Sequence, residues 1–221
     1  MKSYSILLVV LLAACSPLQS STETTETTTS PTDSPTTNQP SSPQQEVVEE
    51  QPDLHTYFMP NQSAATFEGM GNEYATYTLN TQHLYENYIG TLEDNGGTVV
   101  QRIYRIEDTR IVKIFEEAEA YDADFPPLTE LEAMPELETY LSLPFEEGNE
   151  FNGWTITETS GMLTTPYQTF ENVITLTREG EDQSTIERHF VEGFGEVKRV
   201  FRMPAGESEE FEVTSSLLSI D

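Results

Sequence analysis

The sequence predicts a mainly β protein of antiparallel sheets, arranged in two halves that a short helical connector joins. Two observations support this: apolar and polar residues alternate along short runs, and Gly, Asn and Pro interrupt those runs. Strands of this kind bury only alternate side chains, which is typical of antiparallel sheets with one face in water. The clearest runs lie at 73–79, 98–106, 110–115, 172–178 and 196–203.

Two Asn-Gly pairs predict tight hairpin turns. They lie in "DNGGT" at 94–98 and in "FNGWT" at 151–155. Asn and Gly tolerate the positive φ angles that short hairpin turns require, so we expect a turn at each position.

The segment 126–144 departs from the alternation and predicts the helical connector. Thr129 and Glu132 have the spacing of a capping box, and Pro135 is expected to kink the helix or to begin a second one. An apolar stripe at helical spacing is expected to pack on the core. The stripe consists of Leu131, Met134, Leu137 and Leu141.

The two halves, about 54–125 and 144–221, resemble each other. Residues 85–92 parallel 170–177, and 98–115 parallel 185–201. This indicates an internal duplication, although any two amphipathic hairpins share such a composition. Either a sandwich or one curved sheet would accommodate the halves. The matched pairs are Thr98 with Thr185, Arg102 with Arg188, Tyr104 with Phe190, and Phe115 with Phe201.

The composition argues against nucleic-acid binding, an internal disulfide and a metal site. Ten basic residues stand against 39 acidic ones in the 221-residue chain, a formal net charge of −29. Nucleic acid requires clustered Lys and Arg, so we expect no nucleic-acid binding. The chain has one cysteine and therefore no internal disulfide, and no Cys or His pair has metal-ligand spacing, so no metal is expected.

The N-terminus has the layout of an export signal. Lys2 is followed by an apolar run, Ile6 to Leu12, that is too short to span a bilayer comfortably. Leu12, Ala13, Ala14 and Cys15 then resemble the lipobox of bacterial lipoproteins. The resemblance implies that residues 1–14 are removed and that Cys15 carries diacylglycerol, which anchors the protein on the outer side of the cell membrane. A plain secretory peptide or an uncleaved anchor is the alternative.

A low-complexity segment follows the lipobox. Residues 15–53 are rich in Ser, Thr, Pro, Gln and Glu and nearly free of apolar side chains, a composition typical of disordered chains. We predict a tether with a reach of about 35 Å. The β-rich globular domain is expected to occupy 54–221.

Four stretches together resemble an uncharacterised family of lipoproteins from Firmicutes of the Bacillus and Clostridium type. The resemblance covers about 57–217 and implies an exported β domain, without a known activity. The stretches are "FEGMGNEYATY" at 67–77, "NGGTVVQRIYRI" at 95–106, "TTPYQTFENVITLT" at 164–177 and "VEGFGEVKRVF" at 191–201.

Catalytic motifs are lacking in the sequence. It has no Gly-x-Ser-x-Gly elbow, and "GFG" at 193–195 falls short of a phosphate loop. The three histidines, His55, His83 and His189, have no evident partner spacing. We therefore expect neither an enzyme nor a cofactor.

One acidic cluster invites a cation-binding interpretation, because carboxylate oxygens are ligands that Ca²⁺ prefers. It lacks the alternation and the glycine of an EF-hand loop, so a solvated acidic face is the simpler interpretation. The cluster consists of Glu116, Glu117, Glu119, Asp122 and Asp124.

These observations favour a membrane-anchored, extracytoplasmic β domain without catalytic activity, which either has a binding role or supports envelope assembly. The sequence does not identify the protein or envelope partner of such a domain. A carrier or chaperone for lipid or other apolar cargo is a second hypothesis, and an enzyme without a recognisable motif is a third. A carrier would need an aromatic-lined sheet face. The candidates for that face are Tyr74, Tyr77, Tyr88, Tyr104, Trp154 and Phe190.

Overall fold

The fold is one antiparallel sheet. A computed structural model describes residues 51–205 and 210–221, and within them twelve strands form the sheet. The first half of the chain gives β1 (Ser63–Met70), β2 (Tyr77–Tyr85), β3 (Tyr88–Asp94), β4 (Val99–Ile106), β5 (Arg110–Ala118) and β6 (Glu138–Ser142). The second half gives β7 (Glu150–Phe151), β8 (Trp154–Thr164), β9 (Thr169–Glu179), β10 (Thr185–Val191), β11 (Gly195–Pro204) and β12 (Glu210–Ile220).

The strand order makes each half a six-stranded meander. The order is β6-β5-β4-β3-β2-β1-β12-β11-β10-β9-β8-β7, so the first and last strands pair in the middle of the sheet. Side chains from both halves pack into one buried cluster that includes Ile89, Tyr104, Ile174 and Phe190. Residues from distant strands can meet in this way only if the sheet is curled. The curved-sheet alternative of the predicted fold class is therefore correct, and the concave side is called the inner face below.

The two edges of the sheet, β6 and β7, are consecutive in the chain. The side-chain amide of Asn149, just before β7, donates to the carbonyl oxygens of Ser142 (3.3 Å) and Pro144 (2.9 Å). These hydrogen bonds hold the segment before β7 to the end of β6, where no strand ladder joins the edges within the described residues.

The two halves share an unusual local feature. The β4/β5 ladder shifts register between Ile103 and Tyr104, and the β10/β11 ladder shifts between His189 and Phe190. A bulge re-aims the side chains that follow it. Here the extra residue lies in the partner strands, Ile114 in β5 and Val197 in β11, so β4 and β10 keep their regular alternation. Tyr104 and Phe190 therefore occupy corresponding positions on the inner face, as the sequence pairing predicted.

The predicted pairing of Phe115 with Phe201 was wrong. Phe115 lies opposite Ile103, whereas Lys198 lies opposite His189, so Phe115 corresponds to Lys198. The hairpin of the second half is shorter beyond the bulge: three residues separate the paired Val191 and Gly195, whereas six separate the corresponding Arg105 and Val112. The sequence comparison allowed for only one missing residue.

Both hairpin predictions are confirmed. Asn152 and Gly153 join β7 to β8 with φ angles of 47° and 75°, as a two-residue turn of the Asn-Gly type requires. Residues 95–98 join β3 to β4, with Gly96 at φ 78°.

Most of the predicted helical connector is not helical. Helix α1 spans only Leu128–Leu131, its N-cap is Pro127 with no side-chain cap, and no capping box forms there. Residues 138–142 form β6 instead, where Leu141 pairs with Ile111 of β5. The connector thus contributes a strand to the first half, because hydrogen bonding to the exposed edge of β5 outweighs a helical spacing that Pro135 already interrupts.

The chain enters the fold through a short segment that packs inside the curled sheet. Asp53 caps a 3₁₀ turn at Leu54–Tyr57, and Phe58 then stacks on the inner face. The Phe58 ring centroid lies 5.1 Å from that of Tyr104 and 5.9 Å from that of Tyr140. Residues 54–59, called the inner segment below, therefore fill part of the space between the two halves.

Candidate functional site

The six aromatic residues predicted to form one ligand-binding face do not lie together. Tyr77, Tyr104, Trp154 and Phe190 are buried on the inner side of the sheet. Tyr88 lies in the outer-face cluster that Leu131 covers, and Tyr74 is exposed between β1 and β2. The inner four pack against other rings and charged groups, so they do not line an open apolar groove.

Charged side chains link strands across the interior. Glu93 of β3 accepts hydrogen bonds from Arg102 Nη1 of β4 at 3.0 Å and from Arg199 Nη2 of β11 at 3.5 Å. Arg199 Nε also donates to Glu196 Oε1 at 2.7 Å. The Glu93–Arg199 contact joins residues 106 positions apart and connects the two halves electrostatically.

Arg188 of β10 has a different environment. Its guanidinium carbon lies 4.8 Å from the Trp154 ring centroid and 5.4 Å from that of Tyr140, within cation–π range. The nearest carboxylate oxygen, Glu196 Oε2, is 3.6 Å from Nε, beyond hydrogen-bonding distance. Nε is buried, and no residue in 51–205 or 210–221 accepts a hydrogen bond from it.

These groups surround a small cavity of about 40 Å³. Arg102, Arg188, Arg199, Glu93 and Glu196 line it, together with tyrosine rings and the inner segment. Thr81 also lines it, and its buried Oγ1 has no hydrogen-bond partner among the described residues. One water needs about 10–15 Å³ on this scale, so the cavity accommodates a group the size of about three water molecules.

The ionisable groups at the cavity carry fixed charges. Burial alone would raise the pKa of Glu196, but Arg199 and Arg188 lower it overall, so the carboxylate is ionised at neutral pH. Burial raises the pKa values of Tyr77, Tyr104 and Tyr140, which therefore remain neutral phenols. The site thus presents guanidinium and hydroxyl donors at constant charge.

The predicted acidic cluster is not gathered into a metal site. Glu116 pairs with Arg102 Nε at 2.9 Å and with Lys113 Nζ at 2.7 Å. Among residues 51–205 and 210–221, no group of three or more His, Cys, Asp and Glu side chains is placed to hold a metal ion. Glu116 thus serves an ion-pair network, and Glu117, Glu119, Asp122 and Asp124 do not join it in a cation site.

His189 is packed within the sheet, as an ordinary strand residue would be. Its Nδ1 lies 3.2 Å from the hydroxyl of Thr175, and its Nε2 lies 3.7 Å from Glu187. Burial lowers the pKa of His189, although Glu187 opposes the shift. The imidazole does not line the cavity.

The predicted lipidation site and its lipobox, Leu12, Ala13, Ala14 and Cys15, lie outside the described residues, as does nearly all of the predicted tether. Within the described part of the chain, no helix has the length and apolar character to cross a membrane.

Sequence reasoning did not identify the charged residues of the cavity as a site. The signal was present in the repeat, since Arg102 and Arg188 were matched there and each precedes an inner-face aromatic residue by two positions. Glu93 and Arg199 could not be assigned from sequence, because an ion pair across 106 residues depends on how the sheet curls. Glu196 joins the site through Arg199, three positions away on the same strand.

Comparison with known proteins gives little further guidance. No family model matches the chain, and no curated protein matches it significantly. A solved structure from Bacteroides fragilis, that of a candidate exported protein with a YmcC-like fold, is similar over 75% of this chain and 99% of its own. The identity is 12% and the TM-score 0.45, so function must be argued from the chain's own residues.

Proposed function

We propose that the protein is a lipid-anchored extracytoplasmic protein whose β domain binds a small polar ligand and performs no chemistry on it. The observation that carries the binding role is the cavity between the two halves, where the buried donors Arg188 Nε and Thr81 Oγ1 find no acceptor in the described part of the chain. Unpaired buried donors cost free energy, so a site that retains them gains when a ligand supplies acceptors.

Fixed charges favour binding over acid–base catalysis. General acids and bases work best when their pKa lies near the operating pH. At this cavity the pKa of Glu196 is lowered and those of the tyrosines are raised, so each moves away from neutrality. Such groups orient a ligand without exchanging protons with it.

The size of the cavity favours a small polar ligand over lipid cargo. Sites for drug-sized ligands typically enclose about 300–1,000 Å³. The cavity of about 40 Å³ is far smaller, and its lining includes five charged side chains. An acyl chain would have to displace both the aromatic packing and the ion pairs.

The lipid anchor rests on the sequence, in which the only cysteine, Cys15, follows an apolar signal and small residues. One acyl chain alone holds a protein only reversibly, whereas a diacylglycerol supplies the two chains needed for stable attachment. The acidic tether would then keep the β domain clear of the membrane surface.

Mass spectrometry of the full-length protein, produced in a bacterium and extracted from its membranes, tests the anchor. We expect a chain that begins at Cys15 and carries the mass of a diacylglycerol. The control is Cys15→Ser, which should remain unlipidated and uncleaved at this position. A soluble cytosolic protein with residues 1–14 intact and an unmodified thiol would refute the proposed location.

A further inference from the structure

The repeat exposes a charge difference between the halves. Directly opposite Arg102, β5 places Glu116; directly opposite Arg188, β11 places Arg199. The strand on the other side differs in the same way. Glu93 of β3 pairs with the residue two positions before Arg102, and Arg178 of β9 pairs with the residue two positions before Arg188.

At the two positions where the first half places the carboxylates that neutralise Arg102, the second half therefore places the guanidinium groups of Arg178 and Arg199. In the first half, Arg102 donates to Glu93 at 3.0 Å and to Glu116 at 2.9 Å. In the second half, Arg178 and Arg188 both stack on Trp154, with guanidinium carbons 4.4 Å and 4.8 Å from its ring centroid. The charge inversion explains why Arg188 Nε has no acceptor among the described residues.

The carboxylate of Glu196 partly offsets this excess of positive charge. Glu196 lies opposite Phe190, at the position that Lys113 holds opposite Tyr104 in the first half. It forms its short contact with Arg199, at 2.7 Å, and leaves Arg188 at 3.6 Å. Glu93 reaches Arg199 as well, but it is shared with Arg102. Among the described residues, Arg178, Arg188 and Arg199 thus have only Glu196 and the shared Glu93 as carboxylates within ion-pair distance of any of them.

We infer that the cavity binds a singly charged carboxylate group, which Arg188 holds. A planar carboxylate matches the fork of a guanidinium and can accept two parallel hydrogen bonds. Thr81 lines the same cavity, and its hydroxyl, which has no partner within 51–205 and 210–221, supplies a further donor. The inference names the ligand class for the proposed binding function and rests on that function.

Size and charge both point to this class. The cavity of about 40 Å³ admits a carboxylate but not a sugar or an acyl chain. A dianion such as phosphate would bring a second negative charge toward Glu93 and Glu196, which line the cavity and carry negative charge themselves.

Trp154, the only tryptophan of the chain, does not line the cavity but lies 4.8 Å from the guanidinium carbon of Arg188, so its fluorescence reports on the residue that holds the carboxylate. The experiment follows its fluorescence in the full-length protein, purified in non-ionic detergent, as acetate replaces chloride at constant ionic strength. Titration to about 50 mM acetate would nearly saturate a site with a Kd of about 1 mM. We expect a saturable change in the protein and no change in free tryptophan.

Two variants and a control make the outcome specific. Arg188→Gln should abolish the saturable change. Arg178→Glu should abolish it too, because it places a carboxylate where Glu93 stands in the first half and so gives Arg188 an internal acceptor. The control, Arg202→Gln, removes an arginine of β11 that pairs with Glu187 and Glu212 outside the cavity, and it should titrate like the parent.

If acetate causes no saturable change in the fluorescence of the folded parent protein, the carboxylate site is refuted. It is also refuted if Arg178→Glu shows the same saturable change as the parent. A saturable response to inorganic phosphate without one to acetate overturns the ligand class while leaving a binding cavity. The failure of the proposed binding function is a different result, namely a flat titration of the folded parent with both acetate and phosphate. Lipidation and membrane attachment are measured separately by mass spectrometry, so neither result bears on the proposed location.

Discussion

Arg199 Nε donates to Glu196 Oε1 over 2.7 Å, and this ion pair lies inside the curled sheet beside the cavity. The Glu196 side chain is 7% exposed and that of Arg199 is 31% exposed. Tyr140 of the other half donates its hydroxyl to the second oxygen of Glu196 at 3.4 Å. The pair therefore connects the binding site to the cohesion of the two halves.

Replacing Glu196 by Gln should destabilise the fold. The substitution keeps the shape but leaves Arg199 and Arg188 without their nearest negative charge. We expect the free energy of unfolding to fall by about 2 kcal/mol, as for a lost charged hydrogen bond, because Arg199 retains some access to water. Urea unfolding measures it. Glu212→Gln, which removes a half-exposed partner of Arg202, should cost less than about 1 kcal/mol. Equal losses would contradict a special role for Glu196.

The same carboxylate predicts acid sensitivity. The pKa of Glu196 is lower in the folded protein than its ordinary value of 4.5, because Arg199 and Arg188 outweigh the effect of burial. Its contribution to stability is therefore complete above pH 4.5 and is lost as the pH falls through the folded-state pKa. Urea midpoints measured across this range should fall less steeply in Glu196→Gln than in the parent. Parallel pH profiles would show that Glu196 is not the group responsible.

The local features of the fold could be predicted from the sequence. The Asn152-Gly153 turn follows from the φ angles that those two residues tolerate, with no reference to the rest of the chain. The antiparallel class follows from the alternation, since each inner residue such as Tyr104 is flanked by residues of the opposite face.

The features that depend on contacts between distant parts of the chain could not be predicted from the sequence. Tyr88 and Tyr104 are both strand tyrosines, yet they lie on opposite faces of the sheet. Leu141 fits a helical stripe, but it pairs with Ile111 at the exposed edge of β5. Strand register and edge pairing decide these cases, and neither is encoded in the spacing of a single segment.

The glycine that borders the inner segment predicts a steric difference between two substitutions. Gly193 and Gly195 both have positive φ angles, 82° and 71°, so alanine is strained at either position. A Cβ at Gly195 would also lie 2.8 Å from the carbonyl oxygen of Tyr57, whereas one at Gly193 meets nothing within 4 Å.

We expect Gly193→Ala to lower the free energy of unfolding by about 1 kcal/mol and Gly195→Ala to lower it by about 1–3 kcal/mol more. Thermal or urea unfolding of the two variants provides the measurement. Equal effects would mean that the inner segment does not pack against β11 as closely as described.

The connector between β5 and β6 predicts a difference between two leucines of the stripe that the sequence suggested. Leu131 is fully buried against the outer face, in a cluster with Tyr88 and Val112, whereas Leu137 is 53% exposed. A continuous amphipathic helix would bury both. In the structure, α1 ends at Leu131 and the chain then extends toward β6.

Leu131→Ala should therefore lower the free energy of unfolding by about 3 kcal/mol, because it leaves a cavity under the connector. Leu137→Ala should change it by less than about 0.5 kcal/mol, as for a surface substitution. The two variants remove the same atoms, so the ratio of their effects measured by urea unfolding isolates burial. A large loss in both would restore the helical stripe and would place Leu137 against the sheet.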